Sequence, residues 1–249
     1  VTGAGTLRTI VVDDEPLARQ ILREYLSDQP GVEVVAECAN GFDAVRCVGE
    51  LSPDLVFLDI QMPKLDGFDV LELIGDSAAV IFVTAFDQHA LRAFEIHALD
   101  YLLKPVSRER LADALDHARA RIGKPAPVSP ARLAAEARPD REPATRILIK
   151  DQSRVHVIPI EAVEYVEAQD DYVCIHAEGK RYLKTQTLAE VESTLDPRRF
   201  VRIHRSYLLN VDRLARLEPY AKDSRVAVLA DGRQLPVSRS GYTRLKELL

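Results

Sequence analysis

Leu55-Val56-Phe57-Leu58-Asp59-Ile60-Gln61-Met62-Pro63 is the stretch on which the reading of this chain turns. Four consecutive apolar residues, bounded by turn formers, read as a strand buried on both faces, as inside a parallel sheet. The run stops at a carboxylate. Asp59 therefore stands at the carboxyl end of the strand, where open parallel sheets bind their ligands. Met62-Pro63 and Gly67 mark the loop that follows.

Working upstream, Thr9–Val12 is β-branched and ends in Asp13-Asp14-Glu15-Pro16. Pro16 suits the first turn of a helix, and Glu15 lies near its positive end. Leu17, Ile21, Leu22 and Leu26 give that helix an apolar stripe. Val32–Ala36 is the next strand, and Phe42, Val45, Val48 and Leu51 form a second helical stripe. Downstream, Gly67 opens a helix carrying Phe68, Val70, Leu71 and Ile74, with Asp66 and Asp69 expected as solvated acids at its start. Ala79–Val83 is a strand ending at Thr84-Ala85. A helix is expected from about Gln88 to Ile96. Asp100–Leu103 is a short strand running into Lys104-Pro105, and a last helix covers residues 107–121. Five repetitions of strand then helix make a parallel sheet covered by helices on both faces. That topology gathers Asp13, Asp14, Asp59, Thr84 and Lys104 at one edge of the sheet.

Carboxylates brought together repel one another, and a hard cation such as Mg²⁺, which prefers oxygen ligands, relieves the repulsion. An aspartate can accept a phosphoryl group as a mixed anhydride. A metal ion and a lysine ammonium stabilise charge on the group in transfer. The types of group needed for phosphoryl transfer are thus present at the strand ends.

The charge of the chain is unevenly spread. Of 249 residues, with a net charge of −6, residues 1–122 hold 21 Asp/Glu against 11 Lys/Arg, while residues 123–249 hold 18 against 22. Acidic and basic halves suggest separate tasks, and a mildly basic half suits nucleic acid. The three cysteines, Cys38, Cys47 and Cys174, lack metal or disulfide spacing and read as small apolar residues. No apolar run reaches the roughly 18 residues needed to span a bilayer. Val1–Gly5 has neither the charged region nor the apolar core of a secretory signal. The expectation is a soluble, cytoplasmic protein with no membrane partner.

Residues 123–144 change to linker composition, with Gly123, Pro125, Pro127, Pro130, Pro139 and Pro143, and room for a short helix at 130–137. From Thr145 the rhythm becomes β-rich. Short strands are expected at 147–149, 155–157, 163–166, 172–176, 182–184, 200–203, 207–209, 214–217, 226–229 and 234–237. A helix is expected from Gln186 to Leu195, and a final helix is capped by Ser238.

Residues 7–121 resemble the receiver domain of two-component response regulators. The resemblance rests on Asp13-Asp14, Asp59 with Met62-Pro63 and Gly67, Thr84-Ala85 and Lys104-Pro105 in that order. It implies a flavodoxin-like (βα)5 domain over residues 7–122, with a parallel five-stranded sheet. Asp59 would be the phosphoacceptor for a sensor histidine kinase. Asp14, Asp59 and the Gln61 backbone carbonyl would bind Mg²⁺, with Asp13 acting mainly through water. Lys104 would pair with the phosphoryl group. Thr84 and Tyr101 would form a switch in which Thr84 moves toward the phosphoryl group and Tyr101 turns inward.

Residues 145–249 resemble the LytTR-type DNA-binding domain, on Phe200-Val201-Arg202-Ile203-His204-Arg205-Ser206-Tyr207-Leu208-Leu209-Asn210, with support from Val163–Glu167, Lys184–Leu188 and Pro236–Arg239. The pair of domains is that of the LytR/AlgR class of transcription regulators. The resemblance implies a mostly β domain of about ten short strands whose loops enter the major groove of double-stranded DNA. Arg205 and Arg239 would lie near bases, since arginine reads guanine bidentately. Tyr172 and the Gln169–Asp171 loop would approach the groove. His204, Lys184 and Lys222 would contact phosphate or support the fold. Arg202 would pair with an acid, and Asn210 would satisfy a turn. Phosphorylation would promote a homodimer on paired sites, commonly direct repeats. A dedicated aspartyl-phosphate phosphatase is disfavoured, because Gln61 stands where a second acid would be needed. A phosphorylation-dependent protein- or RNA-binding adaptor is the alternative.

Overall fold

The computed structural model describes residues 6–85, 98–122, 143–151, 154–169, 172–221 and 224–249. The helix expected at Gln88–Ile96, the linker up to residue 142, Asp170-Asp171 and Lys222 lie outside the described residues. The chain divides into two units, taken one at a time.

In the first unit, β1 (Leu7–Val12), β2 (Val32–Cys38), β3 (Leu55–Leu58), β4 (Ala79–Thr84) and β5 (Asp100–Leu103) form one parallel sheet in the order β2-β1-β3-β4-β5. The four residues of β3 are fully buried, as an interior parallel strand requires. Leu55 and Phe57 point to the face covered by α1 (Pro16–Ser27) and by α4 (Arg108–Arg121), where Leu22, Leu26, Leu111 and Leu115 complete the core. Between the strands run α2 (Gly41–Leu51) and α3 (Gly67–Ile74). Each of these large apolar side chains contributes about 1.5–3 kcal/mol through burial. The strand order reverses at β1, which pairs with β2 on one side and β3 on the other. This is the crevice where such sheets take ligands.

Two expectations for this unit change. Leu17 is 67% exposed, so the apolar face of α1 begins at Ile21, one turn deeper, and the helix's first turn stands clear of the core. Asp69 is buried rather than solvated: it forms a capping box with Asp66, each carboxylate accepting the other's backbone N–H.

The second unit contains ten strands, β6 to β15, among the described residues. A five-stranded antiparallel sheet runs β10-β9-β8-β12-β11, from β8 (Val163–Gln169), β9 (Tyr172–Ala177), β10 (Lys180–Lys184), β11 (Phe200–His204) and β12 (Tyr207–Asn210). One face packs with β6 (Arg146–Asp151), β7 (Arg154–Pro159) and α5 (Leu188–Thr194) around Val166, Ile175 and Leu208. The other packs on the sheet β13 (Leu214–Ala221), β14 (Ser224–Leu229), β15 (Gln234–Val237) and on α6 (Arg239–Lys246), around Tyr165, Ile203 and Leu209. Strand β13 continues past the expected end at Leu217 and includes Pro219. It is an edge strand with a register irregularity between Pro219 and Ala221, the two settings in which a sheet tolerates proline. Helix α5 starts two residues later than expected because Thr187 and Glu190 form a capping box. Among the described residues no helix is long and apolar enough to cross a membrane.

Candidate functional site: an acidic strand-end pocket and a basic reading edge

The backbone fixes the strand ends before any side chain acts. Asp59 N donates to Val12 O at 2.9 Å, and Asp13 N donates to Cys38 O at 3.1 Å, locking the ends of β1, β2 and β3 side by side. Gly67 closes the following loop: its N–H donates to Ile60 O, and a Cβ there would lie 2.5 Å from Asp59 O. Asp13 and Asp59 are buried and Asp14 is exposed, and one ligand oxygen of each falls within 4.8 Å of the others.

Lys104, one residue beyond β5, reaches into this cluster. Its Nζ donates to Asp59 Oδ2 at 2.8 Å. It lies 2.7 Å from Asp13 Oδ2, where the approach makes an ion pair rather than an aligned hydrogen bond. Burial alone pulls the Lys104 pKa down, but the two carboxylates outweigh it and hold the ammonium above its ordinary value. Asp13 moves up from the ordinary carboxylate range because burial outweighs Lys104 and the Glu15 backbone N–H. The remaining oxygen of Asp59 accepts from the Gln61 backbone N–H at 3.1 Å. Thr84 ends β4 fully buried, and its Oγ1 has no hydrogen-bond partner among the described residues. Tyr101, paired with Phe82 across β4 and β5, is already turned inward, at 6% exposure. The sequence-derived residues Asp13, Asp14, Asp59 and Lys104 thus share one pocket, with the Gln61 backbone bonded to Asp59 and the Thr84 backbone bonded to Lys104.

Fit to a divalent cation follows from the donor set. Oxygens across an octahedral Mg²⁺ stand about 4.2 Å apart, at about 2.1 Å each from the ion. A 4.8 Å spread is close to that, and exposed Asp14 leaves room for retained waters.

In the second unit, strand register brings the candidate reading residues to one end of the five-stranded sheet. Gln169 pairs with Tyr172 where the chain passes from β8 to β9. Glu167 pairs with Tyr207, and Ala168 N donates to Ser206 O at 2.9 Å, which sets the His204-Arg205-Ser206 turn beside that end. Ser238 donates to Ile203 O from both N (2.8 Å) and Oγ (3.0 Å), so Arg239 emerges next to the same turn. Arg205, Arg239 and Tyr172 are all exposed. His204 accepts from Ser206 N through Nδ1 at 3.2 Å and shapes the turn. Lys184 is turned away from this edge: its Nζ donates to Leu148 O on β6 at 2.9 Å, so its ammonium serves the fold. Arg202 pairs with Glu192 at 3.2 Å and donates to Arg205 O at 2.9 Å. Asn210 is fully buried, donating to Val163 O and accepting from Asp212 N.

A network behind the edge escaped the sequence reading. Tyr207 Oη donates to Glu167 Oε1 at 2.8 Å, Glu167 Oε2 lies 3.4 Å from His176 Nε2, and His176 Nδ1 lies 3.2 Å from Arg233 Nη1. Its members stand far apart in the chain, and no spacing or motif announces them.

Comparison with known proteins agrees with both halves. The response regulator receiver domain model matches residues 9–116, and the LytTr DNA-binding domain model matches residues 153–249. A response regulatory protein of Yersinia pestis is 36% identical, with 98% of each chain covered. The transcriptional regulatory protein BtsR of Escherichia coli K12 is 34% identical over 98% of this chain and 99% of BtsR. The sensory transduction protein LytT of Enterococcus faecalis is 32% identical over 98% of this chain and 99% of LytT. With an acidic pocket at the switch point of one unit and a basic edge on the other, this chain belongs to the response regulators that join a receiver domain to a LytTR DNA-binding domain and regulate transcription.

Proposed function

We propose that Asp59 accepts a phosphoryl group from the phosphohistidine of a sensor kinase in a Mg²⁺-dependent reaction, and that this switches sequence-specific DNA binding through dimerisation. The observation that carries the reading is Asp59 itself, buried among Asp13 and Asp14 with Lys104 Nζ at 2.8 Å. An Asp59 oxygen attacks phosphorus, the bond from phosphorus to the imidazole nitrogen breaks, and its electron pair stays on that nitrogen. Asp14, Asp59 and the Gln61 carbonyl would hold the ion directly, with Asp13 acting through water. When bound, Mg²⁺ neutralises charge on the transferring oxygens. Lys104 offers its ammonium to one phosphoryl oxygen, and the buried Thr84 hydroxyl gains a partner in another. Tyr101 lies inside the core in the arrangement the switch would favour.

The receiver occupies residues 7–122, residues 123–144 link it to residues 145–249, and the protein acts in the cytoplasm on double-stranded DNA, at paired direct repeats. Arg205 and Arg239 contact bases, with Tyr172 and Gln169 beside the groove and His204 supporting the turn. Lys222 is assigned to phosphate by the family resemblance alone.

Two measurements test this. Asp59→Asn is expected to abolish Mg²⁺-dependent uptake of phosphate from a small phosphodonor, followed by mass; undiminished uptake would refute the phosphoacceptor assignment. Selection from a random DNA library, with and without phosphodonor, should return a repeated motif that is lost with Arg205→Ala. Absence of any sequence preference would favour a protein- or RNA-binding adaptor.

A further inference from the structure

The three acids of the strand-end pocket are not held alike. Asp59 is held at its backbone N–H by Val12 O, and at its carboxylate by Gln61 N and Lys104 Nζ. Asp13 engages every polar group it has. Its N–H donates to Cys38 O at 3.1 Å, its Oδ1 accepts from Glu15 N at 2.9 Å, and its Oδ2 lies 2.7 Å from Lys104 Nζ. Its carbonyl oxygen accepts from Arg19 Nη1 at 2.6 Å. Asp14 is exposed, and among the described residues its carboxylate has no hydrogen bond or ion pair. The backbone that carries it therefore sets where that carboxylate stands.

Arg19 acts on that backbone. A carbonyl shares one rigid plane with the amide that follows it, so a bond to Asp13 O fixes the Asp13–Asp14 peptide. Arg19 lies in the first turns of α1. Helical side chains lean toward the N-terminus, which here is the acidic loop. The Arg19 Nε also lies 4.0 Å from Glu37 Oε2 on β2, and the other Glu37 oxygen pairs with Arg23 at 3.1 Å. The guanidinium thus joins the loop after β1 to the neighbouring strand. At 17% exposure it is not a solvated surface charge. Nor does the helix itself call for it, because a cation near the positive end of α1 works against the helix dipole.

We propose that Arg19 is a positioning residue for the divalent-cation site: by holding the Asp13–Asp14 peptide it presents the Asp14 carboxylate to Mg²⁺. The inference rests on the proposed Mg²⁺-dependent phosphoacceptor pocket and adds to it a residue outside the set proposed to hold the ion or the phosphoryl group. The sign of the effect separates positioning from charge. A cation beside the site repels Mg²⁺, so on electrostatic grounds alone its removal tightens binding. Removal of a positioning residue loosens it. The full chain is titrated calorimetrically with MgCl₂ at constant ionic strength. Arg19→Ala is expected to weaken binding about tenfold, as loss of a supporting partner behind a metal ligand does. Arg19→Gln keeps the aliphatic stem without the guanidinium. It carries the same expectation and decides the matter should Arg19→Ala be unfolded at the titration temperature. With a small phosphodonor, the variant should need about tenfold more Mg²⁺ for phosphate uptake, yet reach the parent rate once the ion saturates. Unchanged or tighter Mg²⁺ binding, or a lower saturated rate at an unchanged Mg²⁺ requirement, overturns the proposal. If the parent binds Mg²⁺ and the variants bind it equally well, only the Arg19 assignment falls. If the parent shows no saturable binding, the Mg²⁺ pocket falls with it.

Discussion

Burial acts on Asp13 and His176 in the same sense, because in each it penalises the charged form. For Asp13 the result is a carboxyl pKa raised from its ordinary value, burial being the largest cause. Lys104 and the Glu15 backbone N–H oppose that shift without cancelling it. For His176 the folded pKa lies below the unfolded value of about 6.5. The unfolded chain then binds the extra proton first, so this contribution to stability is complete above about pH 6.5 and is lost as pH falls toward the folded pKa. His176→Gln should flatten that part of the stability profile, measured by urea unfolding between about pH 5 and 7.5. An unchanged slope would show that His176 does not titrate with folding.

Helix α6 shows how much depends on a contact too close for any side chain. A Cβ on Gly241 would meet Ile203 O at 1.9 Å, and Ser238 bonds to that same carbonyl. Gly241→Ala should cost the β-rich unit about 3 kcal/mol or more, read by denaturant unfolding, and should displace Arg239 from the Arg205 turn. A cost below about 0.5 kcal/mol would mean that α6 seats differently. The sequence marked this helix through its Ser238 cap but did not reveal its seat on β11, because a glycine in a helix does not name what it touches. Strand β3 was legible for the opposite reason: its burial, its end and its carboxylate are all written in adjacent residues. The Leu17 and Asp69 expectations failed at helix starts, where periodicity counts residues without knowing where the core begins.

For the whole molecule, the acidic pocket and the candidate reading edge belong to different units, so under the proposed function phosphorylation of Asp59 would reach DNA through assembly or through the chain between them. Under the dimerisation reading, sedimentation with a phosphodonor and Mg²⁺ should shift the wild type toward a dimer and leave Asp59→Asn unchanged. A phosphorylated wild type that stays monomeric while gaining DNA affinity would exclude dimerisation as the link. The acidic pocket was readable because each member ends a strand and the parallel topology gathers strand ends. The reading edge was readable only in part. Lys184 sits at the correct strand end with its ammonium turned to the other face, and the Glu167–His176–Arg233 network joins residues that only the folded sheets bring together.

Strand β10 has a further consequence. It forms an outer edge of the five-stranded sheet, where unpaired backbone groups invite a strand from another chain. Between Lys180-Arg181 and Lys184 lie Tyr182 and a 57% exposed Leu183, a short apolar β segment of the kind that seeds association. The exposed Lys180 and Arg181 act as gatekeepers, placing charge where a strand from a second copy would have to pair. Under the proposed assembly on paired DNA sites, those charges would help keep neighbouring copies from aggregating.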